Sequence, residues 1–310
     1  MHAEEGAVTV RLPFRPPLDH LGLLRYLAVR AVPGVEEVDG TTYRRTLRLP
    51  RGTGVAAVRL GERPSPGHLE ATLRLEDLRD VTAAVQRLRR LLDLDADPEA
   101  VDAHLRGDPL LGPWVALSPG RRSPGTVDGT ELAVRAVLGQ QVSVAAARTL
   151  AGRLVARLGA PLAVGPQGSL THLFPDLTAL VSAHDDDLPA MPASRRRTLR
   201  ALAVAGTDGD LGLDGGADPR EVRQRLLALP GIGPWTASYV GMRALGDPDT
   251  FLPTDLAVRT ALRRLGAASA PADAARLAAA WAPWRSYAVH HLWATLGAPA
   301  PSAPEHDGGG

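Results

Sequence analysis

Cysteine is absent from the 310 residues, and so is lysine: all 35 basic side chains are arginine. Without cysteine there is no disulfide, thiolate nucleophile, zinc ribbon or cysteine-held iron-sulfur cluster. Without lysine, imine formation with a sugar aldehyde has only the α-amino group to draw on. Histidines are present, but none falls at a metal-ligand spacing, so no side-chain metal site is expected. No uncharged apolar run approaches the roughly 18 residues that a membrane span requires. The start, MHAEEGAVTV, carries acidic groups and no signal-peptide core, so a cytoplasmic protein that stays off the membrane is expected. Net charge is only +1, so a polyanionic partner would have to be met by local positive charge rather than by a basic field.

What is present points to a folded chain with room for two or three small cores. Residues 7–12, 41–49, 54–60 and 68–75 alternate apolar with polar side chains, while 19–31 and 77–93 repeat apolar residues at three and four. This predicts a small antiparallel sheet with helices on one face over residues 1–97. Beyond it, helical segments separated by glycine and proline run to about 296, giving an α+β protein whose second part is an all-helical body. Helices are expected over 128–138, 144–158, 175–184 and 193–205. The sequence Asp218-Pro219-Arg220-Glu221 predicts a capping box opening another helix. The stretch 297–310, rich in proline, alanine and glycine, is expected to be disordered.

LPGIGPW then separates two helices over 219–245. Glycines in so short a turn let the backbone approach closely, and the following helix offers unpaired N–H groups at the positive end of its dipole. Leu229, Gly231, Ile232 and Gly233 therefore form a candidate phosphate clamp, against the plainer reading of an ordinary helix-turn-helix corner. About twenty residues after Trp235, Asp255 opens a further helix, in its first turn. An isolated aspartate there would be a simple cap. The spacing instead allows it to face the mouth of the clamp, where a carboxylate suits stabilisation of a sugar cation. Seven of the twelve aromatic residues lie between 229 and 293. Trp235 and Tyr239, four apart on one helical face, suit a wall for an extruded base, whereas Trp281, Trp284 and Tyr287 read better as core.

The run LPGIGPWTASYVGMRALGDPDTFLPTDLAVR resembles the hairpin, second helix and catalytic aspartate of the helix-hairpin-helix DNA glycosylases. With RYLAVRAVPGVEEV, DGTELAVRAVLGQQVSVAAARTLAGRLVARLG and WAPWRSYAVHHLWAT it is similar to the 3-methyladenine DNA glycosylase II family over nearly residues 7 to 297. The resemblance implies a sheet-and-helix amino-terminal domain before two helical lobes, with the site in the cleft between them. It implies a bacterial, nucleoid-associated monomer that binds damaged duplex DNA, flips alkylated purines and hydrolyses their glycosidic bond through Asp255. Trp235, Tyr239, Trp293 and Tyr26 would line the base pocket, and Gln140 or Gln141 would wedge into the gap left by the base. Electron-rich rings there would favour a cationic base by about 0.5–2 kcal/mol. Members that also cut the strand carry a lysine where Trp235 stands, so direct hydrolysis without an organic cofactor is implied. Hairpin carbonyls would hold a monovalent cation. Leu256 departs from the aromatic residue common at its position, as Gln141 departs from a leucine. Two alternatives stay open: a noncatalytic hairpin module that only binds DNA, and a glycosylase for deaminated or etheno bases.

Overall fold

The computed structural model describes residues 6–61, 67–163, 167–213 and 216–297, so the 298–310 tail lies outside the described residues. Five strands form one antiparallel sheet: β1 (Ala7–Pro13), β2 (Glu36–Asp39), β3 (Thr42–Arg48), β4 (Thr53–Arg59) and β5 (His68–Leu75), in the order β1-β5-β4-β3-β2. One face is covered by α1 (His20–Ala28) and α2 (Val81–Leu92), whose leucines meet Tyr43, Leu47, Val58 and Leu73 of the sheet in one core. Four strands fall where the alternation predicts them. β2 carries no such signal, because Glu-Glu-Val-Asp offers no apolar alternation; Glu36 is nonetheless buried.

The helical body runs through α3 (Pro98–Arg106), α4 (Gly112–Leu117), α5 (Gly129–Leu138), α6 (Val144–Leu158), α7 (Leu177–Ser182) and α8 (Ala193–Thr207). It continues with α9 (Pro219–Leu227), α10 (Pro234–Ala244), α11 (Leu256–Arg264), α12 (Pro271–Leu277) and α13 (Arg285–Thr295). Two apolar cores divide it, one around α5, α6, α8 and α9, the other around α3, α4, α11 and α13. Helix α10 lies between them, and Tyr239 packs against both. The capping box expected at α9 is half-formed. Asp218 accepts the Arg220 N–H at 2.8 Å, while Glu221 turns to Arg225 one helical turn on, at 3.0 Å.

A buried charge network seats the sheet on the helical body. Arg45 of β3 pairs with Glu131 of α5 at 2.7 Å and with Glu36 at 3.3 Å; Arg135 of α5 pairs with Glu36 at 2.8 Å and Glu131 at 2.9 Å. Burial would raise the Glu36 carboxyl, but Arg135, Arg45, the Tyr43 hydroxyl and the Val32 N–H outweigh it and hold it below its ordinary value. A depressed carboxylate contributes stability that is present above its unfolded pKa and is lost as pH falls through the folded one. Glu131→Gln leaves the buried Arg45 and the half-buried Arg135 guanidiniums facing one carboxylate. We expect a loss of about 3 kcal/mol, the scale of breaking a buried pair, read as an earlier urea midpoint at neutral pH. An unchanged midpoint would mean that the network carries no net stability.

Candidate active site

The hairpin connects α9 to α10 through Ala228–Gly233. Gly231 has φ +80°, and a Cβ there would stand 2.0 Å from the Thr198 hydroxyl oxygen on α8, so only glycine fits. Gly233 faces open space. It precedes Pro234, which supplies no N–H, and the first helical bond of α10 is Ala237 N–H to the Gly233 carbonyl at 3.1 Å. The N–H groups of Trp235 and Thr236 therefore head the helix ahead of any intrahelical acceptor. Ile232 serves the turn differently: its side chain is buried and its N–H donates to the Leu229 carbonyl at 3.2 Å, while Leu229 packs half-buried on the same core.

Gln140 and Gln141, adjacent in sequence, do different things. The Gln140 amide donates to the Gly231 carbonyl at 3.0 Å and to the Thr236 hydroxyl at 3.1 Å, bracing the hairpin from the α5–α6 loop. Arg195 donates to the Gln140 carbonyl, and Arg196 and Arg200 pair with Asp185, so most of this arginine run is occupied within the chain. Gln141 is exposed with φ +55°, a conformation uncommon outside glycine.

Asp255 is the N-cap of α11 rather than a residue of its first turn. Oδ1 accepts the Val258 N–H at 2.8 Å and the Trp293 indole N–H at 3.0 Å; Oδ2 accepts the Trp235 indole N–H at 2.9 Å. Capping and site geometry thus coincide in one side chain, whose two oxygens are held by indoles from α10 and α13. Trp235 stacks on Tyr239 at 5.2 Å with 9° between the planes, and Trp293 tilts against Tyr239 at 6.4 Å. These rings, Tyr26 and Asp255 line a cavity of about 470 Å³ between α1, α5, α10 and α13. The structure therefore brings together Asp255 and all four expected pocket aromatics. Trp281 is fully buried in the core, as its spacing suggests.

Two residues that line this cavity, Arg243 and Arg30, and one packed against its rings, His290, are not singled out from the sequence. Arg243, one turn beyond Tyr239 and buried, donates to the Tyr26 hydroxyl, to the Tyr239 hydroxyl at 2.9 Å, and to the carbonyls of Pro124 and Gly125. The Arg30 guanidinium lies 3.8 Å over the Tyr26 ring, and His290 sits edge-on between Tyr26 and Trp293. One face of Tyr26 is therefore already covered by a cation, which removes it from the cation-π surface expected for a charged base. Only the period of α10 could have flagged Arg243, which follows Trp235 and Tyr239 at steps of four. Burial, then Arg243 and Arg30, pushes His290 well below its ordinary value, and burial with Arg121 pushes His291 down to about 3. Neither ring is an imidazolium at neutral pH, so neither serves as a general acid.

Among the described residues no group of three or more histidine, aspartate or glutamate side chains could hold a metal. The hairpin carbonyls of Leu229 and Gly231 each accept one N–H donor, which leaves a lone pair on each. That donor set suits a monovalent cation, with structural ordering of the turn as its contribution.

The family profile of the AlkA N-terminal domain matches residues 9–128, and that of the HhH-GPD superfamily base excision DNA repair protein matches residues 134–286. With the relatives below, these matches place the chain in the HhH-GPD superfamily, on the branch that carries an AlkA amino-terminal domain. It is 35% identical to DNA-3-methyladenine glycosylase 2 of Escherichia coli over 92% of this chain and 97% of that one. It is 48% identical to the probable bifunctional transcriptional activator/DNA repair enzyme AlkA of Mycobacterium tuberculosis over 98% of this chain, which spans 60% of the relative's length. In fold it matches 3-methyladenine DNA-glycosylase from Archaeoglobus fulgidus with a TM-score of 0.78 at 21% identity, covering 92% and 97% of the two chains. No helix among the described residues is long and apolar enough to cross a membrane.

Proposed function

We propose that this protein is a monofunctional DNA glycosylase that extrudes an alkylated purine from duplex DNA and hydrolyses its N-glycosidic bond. The observation that carries this reading is the Asp255 carboxylate, clamped by the pocket's own Trp235 and Trp293 at the cavity and one helix away from the hairpin. A noncatalytic binder has no use for that arrangement. The division into a sheet domain over 1–97 and a helical body over 98–296 serves the same end, since α1 and α10 bring one pocket wall from each.

The hairpin N–H groups would hold a phosphate beside the lesion, and the exposed Gln141 would enter the gap left by the base while Gln140 stays with the hairpin. Val142, Val144, Leu256 and Leu296 leave an apolar rim around the cavity; Leu256 is 72% exposed. Such a rim suits stacked bases and sugar better than water. In the cavity the base would stack on the Trp235–Tyr239 pair, with its glycosidic bond toward Asp255. As the C1′–N9 bond breaks, its electron pair leaves with the base, and the positive charge developing on the sugar meets the carboxylate. Water adds at C1′ and releases its proton to solvent. Both Asp255 oxygens already accept N–H donors, so electrostatic stabilisation is favoured over proton abstraction by this group. With His290 and His291 uncharged, the pocket gives little acid assistance, which suits a cationic purine that leaves as a neutral base.

The test is incubation with methylated duplex DNA. Free 3-methyladenine or 7-methylguanine should appear, with the strand intact until alkali is added, and borohydride should trap no covalent complex. Tight binding without base release would restore the binding-module reading, and a trapped adduct would refute direct hydrolysis. Because backbone groups would carry the clamp and neighbouring arginines are engaged, affinity should fall with salt at a log-log slope of only about 2–5. A slope near ten would point to a side-chain phosphate interface instead.

A further inference from the structure

We propose that the closed end of the base cavity is a hydrogen-bond donor edge that reads the exocyclic oxygen of 6-oxopurines, with the Tyr26 hydroxyl as the specificity-determining group. The inference rests on the glycosylase reading and concerns which purines that site prefers.

Helix α10 sets the orientation of the base. Trp235, Tyr239 and Arg243 follow one another at steps of four along one face of the helix, with Asp255 bonded to Trp235 at one end and Arg243 at the other. Eight residues of helix separate those ends by about 12 Å. A purine whose N9 side is turned to Asp255 must enter with its six-membered ring leading, so the C6 substituent meets the Arg243 end.

The polar groups at that end are donors. A guanidinium accepts nothing. Arg243 donates to both tyrosine hydroxyl oxygens, so each phenol keeps its own proton to give. One phenol can give its proton to the other. Among the described residues, the second proton makes no hydrogen bond. Burial raises the Tyr26 phenol above its ordinary value, which keeps its proton in place. Arg30 adds further N–H groups and has no carboxylate partner among the described residues; its one hydrogen bond is to the Tyr26 carbonyl at 3.2 Å. The carboxylate nearby is spent. The two Glu36 oxygens receive Tyr43, Arg45, Arg135 and the Val32 N–H, while the Gly125 carbonyl receives Arg243 and keeps one lone pair. One face of Tyr26 is covered by Arg30 and His290 meets the ring at a steep angle, so the hydroxyl is the polar part it offers to a base.

A 6-oxopurine completes this edge, because O6 accepts what Arg243, Arg30 and the phenol protons have to give. Unsubstituted purine offers that edge no such acceptor and leaves its donors unpaired. The contact also strengthens during reaction. When neutral hypoxanthine departs with the C1′–N9 electron pair, part of that charge reaches O6, so a hydroxyl there acts on the chemical step rather than on binding alone.

The experiment compares single-turnover excision of hypoxanthine with that of unsubstituted purine, which lacks only O6 and its accompanying N1 proton, in otherwise identical duplexes. Wild-type protein and Tyr26→Phe are measured side by side, and the readout is the ratio of the two rates, from which any loss of folded protein cancels. The ratio should fall about tenfold in Tyr26→Phe, the scale of one buried hydrogen bond. An unchanged ratio overturns the proposal. Release of 7-methylguanine by the wild type separates the two claims: if it occurs and the ratio does not move, the donor edge alone fails; if the wild type releases no base, both fail.

Discussion

Asp255→Asn should slow single-turnover base excision at least about a hundredfold while changing affinity for lesion-bearing DNA by no more than a few-fold. The amide removes the charge that would meet the developing sugar cation, and little else about the site requires it. Its oxygen can still cap α11 by accepting the Val258 N–H, so the helix should persist. That oxygen also keeps the Trp293 indole, so the NH2 group must face the indole N–H of Trp235, which in the wild type donates to the other carboxylate oxygen. That mismatch costs about 1–3 kcal/mol. A modest fall in thermal midpoint should therefore accompany the kinetic loss, and a midpoint measured alongside separates the two. The deficit should be larger for neutral hypoxanthine than for 3-methyladenine, since the cationic base leaves with less help. Wild-type excision of 3-methyladenine by the Asn variant would reduce Asp255 to a helix cap and return the noncatalytic reading.

The hairpin gives the second large effect, and the structure splits two glycines that look alike in LPGIGPW. Gly231→Val should destabilise the protein and weaken binding to damaged and undamaged duplexes alike by about tenfold or more, on the scale of a strained backbone site. The new side chain would sit at φ +80° and drive its Cβ into Thr198 at 2.0 Å, pushing the turn off α8. Gly231 also presents the carbonyl that Gln140 braces, so the α5–α6 loop should loosen with it. Gly233→Val meets nothing within 4 Å and has an ordinary φ of −94°. Its thermal midpoint should stay near wild type, and any loss of affinity would come from a side chain holding the phosphate away from the N–H groups. Equal midpoints for the two variants would contradict the packing of Gly231 on Thr198. Full DNA affinity in Gly231→Val would show that the hairpin is not the clamp.

Much of the chain's organisation is legible in the amino-acid sequence, for a local reason. Caps, turn glycines and apolar periods act over a few residues, so Ser143 before α6, Pro219 at the head of α9 and the hairpin glycines announce their elements directly. No lysine means no side-chain imine chemistry, whatever the fold. The resemblance carried by the hairpin and by the aspartate twenty residues after Trp235 reaches the family, and the comparisons with known proteins agree with it. Site geometry is less accessible. β2 is hidden because its Glu36 is buried for the sake of Arg45 and Arg135, partners 9 and 99 residues away. Arg243 reads in sequence as one arginine among 35. Its meaning depends on Tyr26, 217 residues earlier, arriving at the same guanidinium as Tyr239. The division of labour between Gln140 and Gln141 likewise turns on whether a carbonyl from the α9–α10 turn stands within reach of one amide. Composition and short-range pattern settled which elements form and which chemistries are excluded. Which side chains share the cavity, and whether each faces it as ring, donor or charge, was decided by packing between α1, α10 and α13, because hydrogen bonds and ring contacts are satisfied through space rather than along the chain.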